Sequence, residues 1–216
     1  MSDPKLECSR AEWSSRRKVV FDLARDTRCT IACLQETKLA VVQDQIVRET
    51  LGQRFASNFV FLPAEGTRGG ALLAVDEDHY SIIASGHRHF SVSAKLRSVE
   101  ENNEWWLTVV YGPQRDQEKL EFLREIRAVH TTVSDKWLVL GDFNLILDAR
   151  DKSNSNLNRR MMAAFRDTVQ ALELKELNLT GRKFTWSNDH TQTRIDRAFC
   201  SIEWDLMLPG CMLQAL

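Results

Sequence analysis

Hydrophobic and polar positions along the 216-residue chain alternate between helical and strand-like periods. Apolar positions three or four apart predict amphipathic helices, and short apolar runs bounded by Gly, Pro or acidic residues predict buried strands. The helical period occupies four segments, which are Arg17 to Arg25, Asp44 to Leu51, Gln117 to His130 and Arg159 to Leu172. The strand-like runs are Thr30 to Leu34, Asn58 to Leu62, Gly70 to Val75, Tyr80 to Ser85, Phe90 to Leu96, Glu104 to Val110 and Lys136 to Leu140.

The last third of the chain adds a loop and a hairpin to this pattern. Asp151 to Asn158 is rich in Asn, Ser and Asp and predicts a loop. Lys183 to Ser187 and Thr193 to Ser201 predict the two arms of a hairpin, with its tip near Asp189-His190. Helices at both ends with many strands between them predict a layered α/β domain, in which two sheets pack together and helices cover them.

Composition supports a globular domain with its own core. Hydrophobic residues make up 43% of the chain and charged residues 27%. The apolar runs are too short to cross a membrane, and the polar first ten residues lack the apolar centre of a secretory signal. The five cysteines form no paired zinc spacing, and Cys29 and Cys33 are expected to be small buried side chains. We therefore expect an intracellular, reducing compartment.

The charge of the chain excludes few classes of function. The net charge is −1, so no global positive field indicates nucleic acid, although an enzyme acting on nucleic acid need not be basic overall. Local basic clusters occur at Arg16-Arg17-Lys18 and Arg159-Arg160. We interpret both as solvated helix starts in preference to binding patches.

Two buried strands end in the same way. The apolar run before Gln35-Glu36 and the one before Gly141-Asp142-Phe143-Asn144 each deliver a carboxylate to a strand end. Ligands of α/β sheets collect outside the carboxyl ends of strands, and Mg²⁺ favours one or two carboxylates together with waters and phosphate oxygens. Glu36 and Asp142 are therefore candidate site residues, the alternative being that each caps a turn or is a surface charge.

Three further residues extend this candidate site. Tyr111 follows the strand from Glu104 and either donates to a phosphate oxygen or is a rim aromatic before a turn. Asn144 either bonds a phosphate or a water through its amide, or closes an Asx turn. Alternation on the late strand puts Asp196 and Arg194 on one face, so the carboxylate requires a partner there. That partner is either Arg194 or a histidine that the carboxylate orients.

The order of these motifs resembles the endonuclease/exonuclease/phosphatase superfamily. It looks closest to the apurinic-endonuclease-like domain of plant LINE-type (non-LTR) retrotransposons, and the match covers roughly residues 17 to 216, with residues 1 to 16 as a divergent tail. The motifs that carry the resemblance are Leu34-Gln35-Glu36-Thr37-Lys38, Gly69-Gly70, Tyr111-Gly112-Pro113, Gly141-Asp142-Phe143-Asn144, Thr185-Trp186-Ser187-Asn188 and Arg194-Ile195-Asp196-Arg197.

The resemblance implies a four-layer α/β/β/α sandwich and Mg²⁺- or Mn²⁺-dependent hydrolysis of a phosphodiester, with DNA as the partner. By similarity Glu36 is the metal ligand and Tyr111 contacts the scissile phosphate. Asp142 positions or deprotonates the attacking water, and Asn144 helps to hold it. Asp196 resembles the carboxylate that orients the family's histidine. In-line attack of water is the expected mechanism.

The chain departs from the family pattern at both ends. Lys5 to Trp13 contains no Asn and no clear strand, where the family has a first strand that carries an Asn. The family's closing Ser-Asp-His does not appear before Leu216, so the first and last strands are expected to be missing. His190 follows Asn188-Asp189 but lies at the predicted hairpin tip. His79, His87, His89 and His130 are expected on surfaces away from the acidic strand ends.

These departures leave more than one function open. The chain is either a DNA-cleaving domain of low or no activity, or a non-catalytic retroelement remnant that binds metal or nucleic acid weakly. A small-molecule phosphatase of the same superfamily is a third possibility. The segment Thr185-Trp186-Ser187-Asn188, followed by Arg194-Ile195-Asp196-Arg197, favours the retroelement branch over that third possibility.

Overall fold

Two β-sheets lie face to face, because their strands carry apolar side chains on the faces that meet. The computed structural model describes residues 4–65, 68–133 and 136–215. The α-helices in these residues are α1 (Pro4–Asp26), α2 (Asp44–Leu51), α3 (Asp116–His130), α4 (Arg159–Ala171) and α5 (Ile202–Met207). The strands are β1 (Ile31–Gln35), β2 (Phe59–Glu65), β3 (Arg68–Val75), β4 (Tyr80–His87), β5 (Ser91–Ser98), β6 (Glu104–Tyr111), β7 (Trp137–Asp142), β8 (Lys175–Glu176), β9 (Leu179–Thr180), β10 (Trp186–Ser187), β11 (Gln192–Thr193), β12 (Asp196–Cys200) and β13 (Leu213–Gln214).

Three apolar clusters define the layers. The first lies between the sheets and joins β3 residues such as Leu73 to β6 residues such as Leu107. The second packs α3 and α4 on the outer face of the larger sheet, around Phe143. The third packs α2 on the outer face of the smaller sheet, around Val47, with part of α1 against it. The order of layers is therefore α/β/β/α, as predicted.

The strand order explains how distant motifs meet. The smaller sheet has the order β1-β3-β2, and the larger sheet has the order β4-β5-β6-β7-β12-β8. β6 and β7 are parallel, whereas β7 and β12 are antiparallel. The carboxyl ends of β6 and β7 therefore meet the beginning of β12 at one edge of the larger sheet.

Most predicted elements are present with small changes at their ends. The helix predicted from Arg17 begins at Pro4, so residues 4–16 that were assigned to a divergent tail are helical. The predicted hairpin has its short arms at β10 and β11, and β12 follows as a separate strand. The sequence pattern missed β8, β9, α5 and β13, because elements of two to six residues are too short to show a period.

The structure also bears on three smaller predictions. Cys29 and Cys33 are partly buried and pack against apolar clusters, and burial raises the pKa of the Cys33 thiol to about 12. Arg159 and Arg160 are exposed at the start of α4, as expected of a solvated helix start. No helix in the described ranges combines the length and the apolar character that crossing a bilayer demands.

Candidate active site

Three of the predicted site residues form one row across the larger sheet. Tyr111 is the last residue of β6 and lies opposite Asp142, the last residue of β7. Asp142 in turn lies opposite Asp196, the first residue of β12. Neighbouring strands are about 5 Å apart, so this register places the phenol and both carboxylates along a single sheet edge.

The smaller sheet contributes Glu36 to the same edge. Glu36 follows β1 with a φ of 51°, and the backbone after it is fixed where the Thr37 and Lys38 amides donate to the carbonyls of Gly70 and Gly69. The Tyr111 hydroxyl donates to Glu36 Oε1 over 2.5 Å. This hydrogen bond joins the two sheets at the site.

Gln35 and Gly141 hold the sheets in this relation. Gln35 Nε2 donates to the carbonyl oxygen of Val110 over 3.1 Å, which ties β1 to β6 one residue before Tyr111. Gly141 has a φ of 141°, and a Cβ there would lie 2.1 Å from the Val110 oxygen and 2.3 Å from Gln35 Nε2. No local pattern marks Gln35 beyond its position before Glu36, and Gly141 stands out only as part of the motif around Asp142.

Of the two roles considered for Asn144, the structure shows the turn, and a bond to a phosphate or a water stays a prediction. Its backbone amide donates to Asp142 Oδ1 over 2.7 Å, at a φ of 48°, so the two residues close a tight turn after β7. Its side-chain Nδ2 donates to the Gly112 carbonyl over 2.8 Å and lies 3.3 Å from Asp142 Oδ2. Asn144 therefore orients the Asp142 carboxylate and connects it to the turn after Tyr111.

The electrostatics of the site follow from burial and from its crowded carboxylates. The pKa of Asp142 is raised to about 6, chiefly by burial and also by the negative charges of Asp196 and Glu36, while the hydrogen bond from the Asn144 amide opposes the shift. Burial, the hydrogen bond to Glu36 and the charges of Glu36 and Asp142 raise the pKa of Tyr111 well above its ordinary value. Asp142 therefore changes its charge near neutral pH, where a group that exchanges a proton with water is most effective.

The raised pKa of Asp142 predicts a pH-dependent gain in stability from Asp142→Asn. Folding favours the protonated carboxyl, so this contribution is fully present below pH 3.8 and is lost as the pH rises through about 6. Because the group is partly solvated, we expect the variant to be more stable than the wild type by about 1–2 kcal/mol at pH 7–8 and equal to it near pH 3.5. Urea denaturation across this pH range measures the difference.

Asp189→Asn is the matched control for that prediction, because it removes one carboxylate from an exposed turn. Its unfolding free energy should follow the wild type at every pH. A constant difference between Asp142→Asn and the wild type from pH 4 to pH 8 would contradict the assigned shift.

Asp196 does not have the partner that alternation suggested. Arg194 precedes β12 and its Nη2 lies 2.8 Å from Glu176 Oε1, so its ion pair is with Glu176 and not with Asp196. The reason is that the regular strand begins only at Asp196. The backbone there is fixed by Thr185, whose Oγ accepts from the amides of Ile195 and Asp196, each over 3.0 Å.

The five histidines lie mainly away from the acidic edge. His190 is exposed at the hairpin tip, His79 lies near Asp76, and the His130 ring packs near Trp137. His89 is the exception, because it lines one cleft together with Glu36 and Tyr111. The expectation that His89 lies on a remote surface is therefore wrong: the chain between β4 and β5 returns to the same end of the sandwich as β6.

The donor set at this edge suits a hard divalent cation. The described residues contain no cluster of three or more His, Cys, Asp or Glu arranged around one point. Mg²⁺ commonly uses only one or two carboxylates and completes its shell with water and phosphate oxygens. Glu36 is exposed in the cleft. The charges of Glu36 and Asp196 both raise the pKa of Asp142, so negative charge is concentrated here, and a cation would offset it. The residues present therefore fit such an ion.

Comparisons with known proteins agree with this architecture. The model of the endonuclease/exonuclease/phosphatase family matches residues 6–206. The endonuclease domain of TRAS1, a telomere-specific non-LTR retrotransposon, is 18% identical over 88% of this chain and 80% of that one, with a TM-score of 0.65. A search among curated proteins finds no significant match.

Two further solved structures share the fold. A 3′ phosphatase from Neisseria, bound to a product DNA hairpin, is 16% identical over 88% of this chain and 82% of that one, with a TM-score of 0.60. A protein from Bacteroides thetaiotaomicron is 12% identical over 93% of this chain and 79% of that one, also with a TM-score of 0.60. At these identities the likeness establishes the fold alone.

Proposed function

Because the chain belongs to the endonuclease/exonuclease/phosphatase family, we propose that it is a DNA phosphodiesterase domain of the plant LINE-type retrotransposon branch, with little turnover of its own. One observation carries the reaction class: the Tyr111–Glu36 hydrogen bond and the Asp142–Asn144 pair meet at one edge of the two sheets. The fold of the TRAS1 endonuclease domain and the late motifs Thr185-Trp186-Ser187-Asn188 and Arg194-Ile195-Asp196-Arg197 support the branch.

The proposed roles follow from position and charge. Glu36 holds Mg²⁺ or Mn²⁺, which when bound polarises a phosphate oxygen and offsets charge in the transition state. The Tyr111 hydroxyl stays protonated, since its pKa is raised, and exchanges its hydrogen bond to Glu36 for one to a phosphate oxygen when the substrate binds. Asp142, with a pKa of about 6, accepts a proton from the attacking water or orients it. Asn144 fixes the direction of that carboxylate.

Low turnover is proposed because Asp196 lacks a histidine. None of the five histidines makes a contact with Asp196 in the described residues, and His190 lies at the far hairpin tip. A general acid–base group commonly contributes about 10²–10⁴-fold to a rate. The 216-residue chain should therefore nick DNA at least about 10²-fold more slowly than a relative whose site contains the histidine.

A plasmid-nicking assay tests this proposal. Relaxation of supercoiled plasmid with Mg²⁺ or Mn²⁺ is followed for the wild type, for Glu36→Gln and, in parallel, for the TRAS1 endonuclease domain. We expect the wild type and Glu36→Gln to remain close to the rate without protein. Metal-dependent nicking by the wild type that disappears in Glu36→Gln would disprove low turnover, while establishing that the site cleaves DNA.

A second candidate is a non-catalytic domain that binds nucleic acid weakly. The same edge favours it, since Asp142 is oriented by Asn144 while no histidine in the described residues contacts Asp196. Binding of DNA in the presence of EDTA, together with an absence of nicking under all metals tested, would favour this candidate over slow hydrolysis.

A further inference from the structure

A second cavity lies apart from the acidic edge and has the opposite charge. It has a volume of about 870 Å³ and lies between α4, the loop from Leu147 to Asp151, and the segment from Gly181 to Lys183. Arg197 of β12, which lies opposite Gly141 of β7, lines this cavity. Side chains alternate along a strand, so Arg197 points to the outer face of the sheet and Asp196 to the inner one.

The walls of this cavity carry an excess of positive charge. Its acidic residues are Asp148, Asp151 and Glu176, whereas its basic residues are Arg150, Arg166, Arg182, Lys183, Arg194 and Arg197. The chain as a whole has a net charge of −1, so this concentration of cations is local.

Ion pairs within the walls account for three of the six cations. Arg150 pairs with Asp148, and Arg194 and Arg197 share Glu176 and Asp151. No acid among the described residues pairs with the other three, which are Arg166, Arg182 and Lys183. Three positive charges therefore remain uncompensated at the cavity.

Two of the paired cations, Arg194 and Arg197, also have buried donors without a hydrogen-bond partner among the described residues. The Arg197 side chain is only 1% exposed, and its Nε and that of Arg194 have no hydrogen-bond partner in the described structure. Unsatisfied donors on a buried guanidinium are costly, and an anion nearby lowers that cost. Arg182 and Lys183 are exposed at the rim, where a ligand can reach them directly.

The cavity is connected to the acidic edge through a short stretch of backbone. The Arg194 amide donates to the Asp151 carbonyl over 2.8 Å, and Asp196 follows two residues later, opposite Asp142. The loop that contributes Asp148 and Asp151 is the one that leaves β7 after Asn144. Both sites therefore lie at the same end of the larger sheet, on its two faces.

We infer that this cavity binds a backbone phosphate of the DNA strand whose neighbouring segment lies at the Glu36–Asp142 edge. The choice of DNA rests on the proposed function, whereas the phosphate chemistry rests on the cavity itself. Guanidinium groups present several donors in a plane that matches phosphate oxygens, and a channel with excess positive charge tracks a phosphodiester backbone. The cavity thus acts as a second anchoring point for the strand, remote from the bond that is cleaved.

The salt dependence of DNA binding tests this inference. Fluorescence anisotropy with a short labelled duplex in EDTA measures the Kd between about 50 and 200 mM salt, because each phosphate contact contributes about −0.9 to the slope of log K against log salt. We expect the double variant Arg182→Ser/Lys183→Ser to reduce the magnitude of that slope by about one, as the loss of one phosphate contact requires, and to weaken binding about tenfold near 100 mM salt.

Arg159→Ser/Arg160→Ser is the matched control, since it removes the same charge from the exposed start of α4. Its slope should equal that of the wild type. Equal slopes for the cavity variant and the control, or no binding by the wild type, would overturn the inference. Inorganic phosphate that binds the wild type, measured by calorimetry, without displacing the duplex would also overturn it, by assigning the cavity to a free phosphate.

The outcome is independent of cleavage, because the measurement excludes metal. A change of slope confined to the cavity variant, in a chain that does not nick DNA, supports the cavity inference and agrees with the low turnover proposed above. If the wild type nicks DNA and its cavity variant binds like the control, the result supports cleavage of DNA at the acidic edge and overturns the inference about the cavity.

Discussion

Gly141→Ala should cost more than about 4 kcal/mol of unfolding free energy and leave little folded protein at 37 °C. The new Cβ would lie 2.1 Å from the Val110 carbonyl oxygen and 2.3 Å from Gln35 Nε2, both of which are fixed by the sheet-to-sheet hydrogen bond. The φ of 141° adds backbone strain for any residue other than glycine. Urea denaturation followed by tryptophan fluorescence measures the loss.

Gly86→Ala provides the control for this prediction. Gly86 lies in β4 and a Cβ there meets nothing within 4 Å, so the substitution should change stability by less than about 1 kcal/mol. If Gly141→Ala were as stable as Gly86→Ala, the close approach of β6, β7 and Gln35 would not be the contact that holds the site together.

The contrast between these glycines shows what the sequence could predict. Apolar periods located the main helices and strands, because packing on one face imposes a period that survives in a single sequence. They also identified the strand ends at Glu36 and Asp142, since an apolar run followed by a carboxylate is a local feature. The need for glycine at position 141 was not visible, because it depends on Val110 and Gln35, which are distant in sequence.

The same limit applies to the site as a whole. The hydrogen bond from Tyr111 to Glu36 spans 75 residues, and no local pattern predicts it. Alternation allowed two partners for Asp196, and the structure excludes Arg194, because the strand begins at Asp196 and Arg194 pairs with Glu176. The roles of Glu36, Tyr111, Asp142, Asn144 and Asp196 in catalysis remain predictions, whereas their meeting at one edge is a property of the fold.

Arg197→Ala is expected to destabilise the domain by about 3–5 kcal/mol, because it leaves Asp151 without its buried cation and Glu176 with Arg194 alone. The side chain is 1% exposed, so water cannot replace it without opening the cavity wall. Arg150→Ala should cost at most about 1 kcal/mol, since the Arg150 side chain is 85% exposed and pairs only at the surface. Chemical denaturation at neutral pH compares the two variants.

Arg197→Met separates charge from volume in this result. Methionine restores much of the packing but not the cation, so a loss of stability close to that of Arg197→Ala would identify the unpaired carboxylates as the cause. A methionine variant as stable as the wild type would mean that Arg197 only fills space.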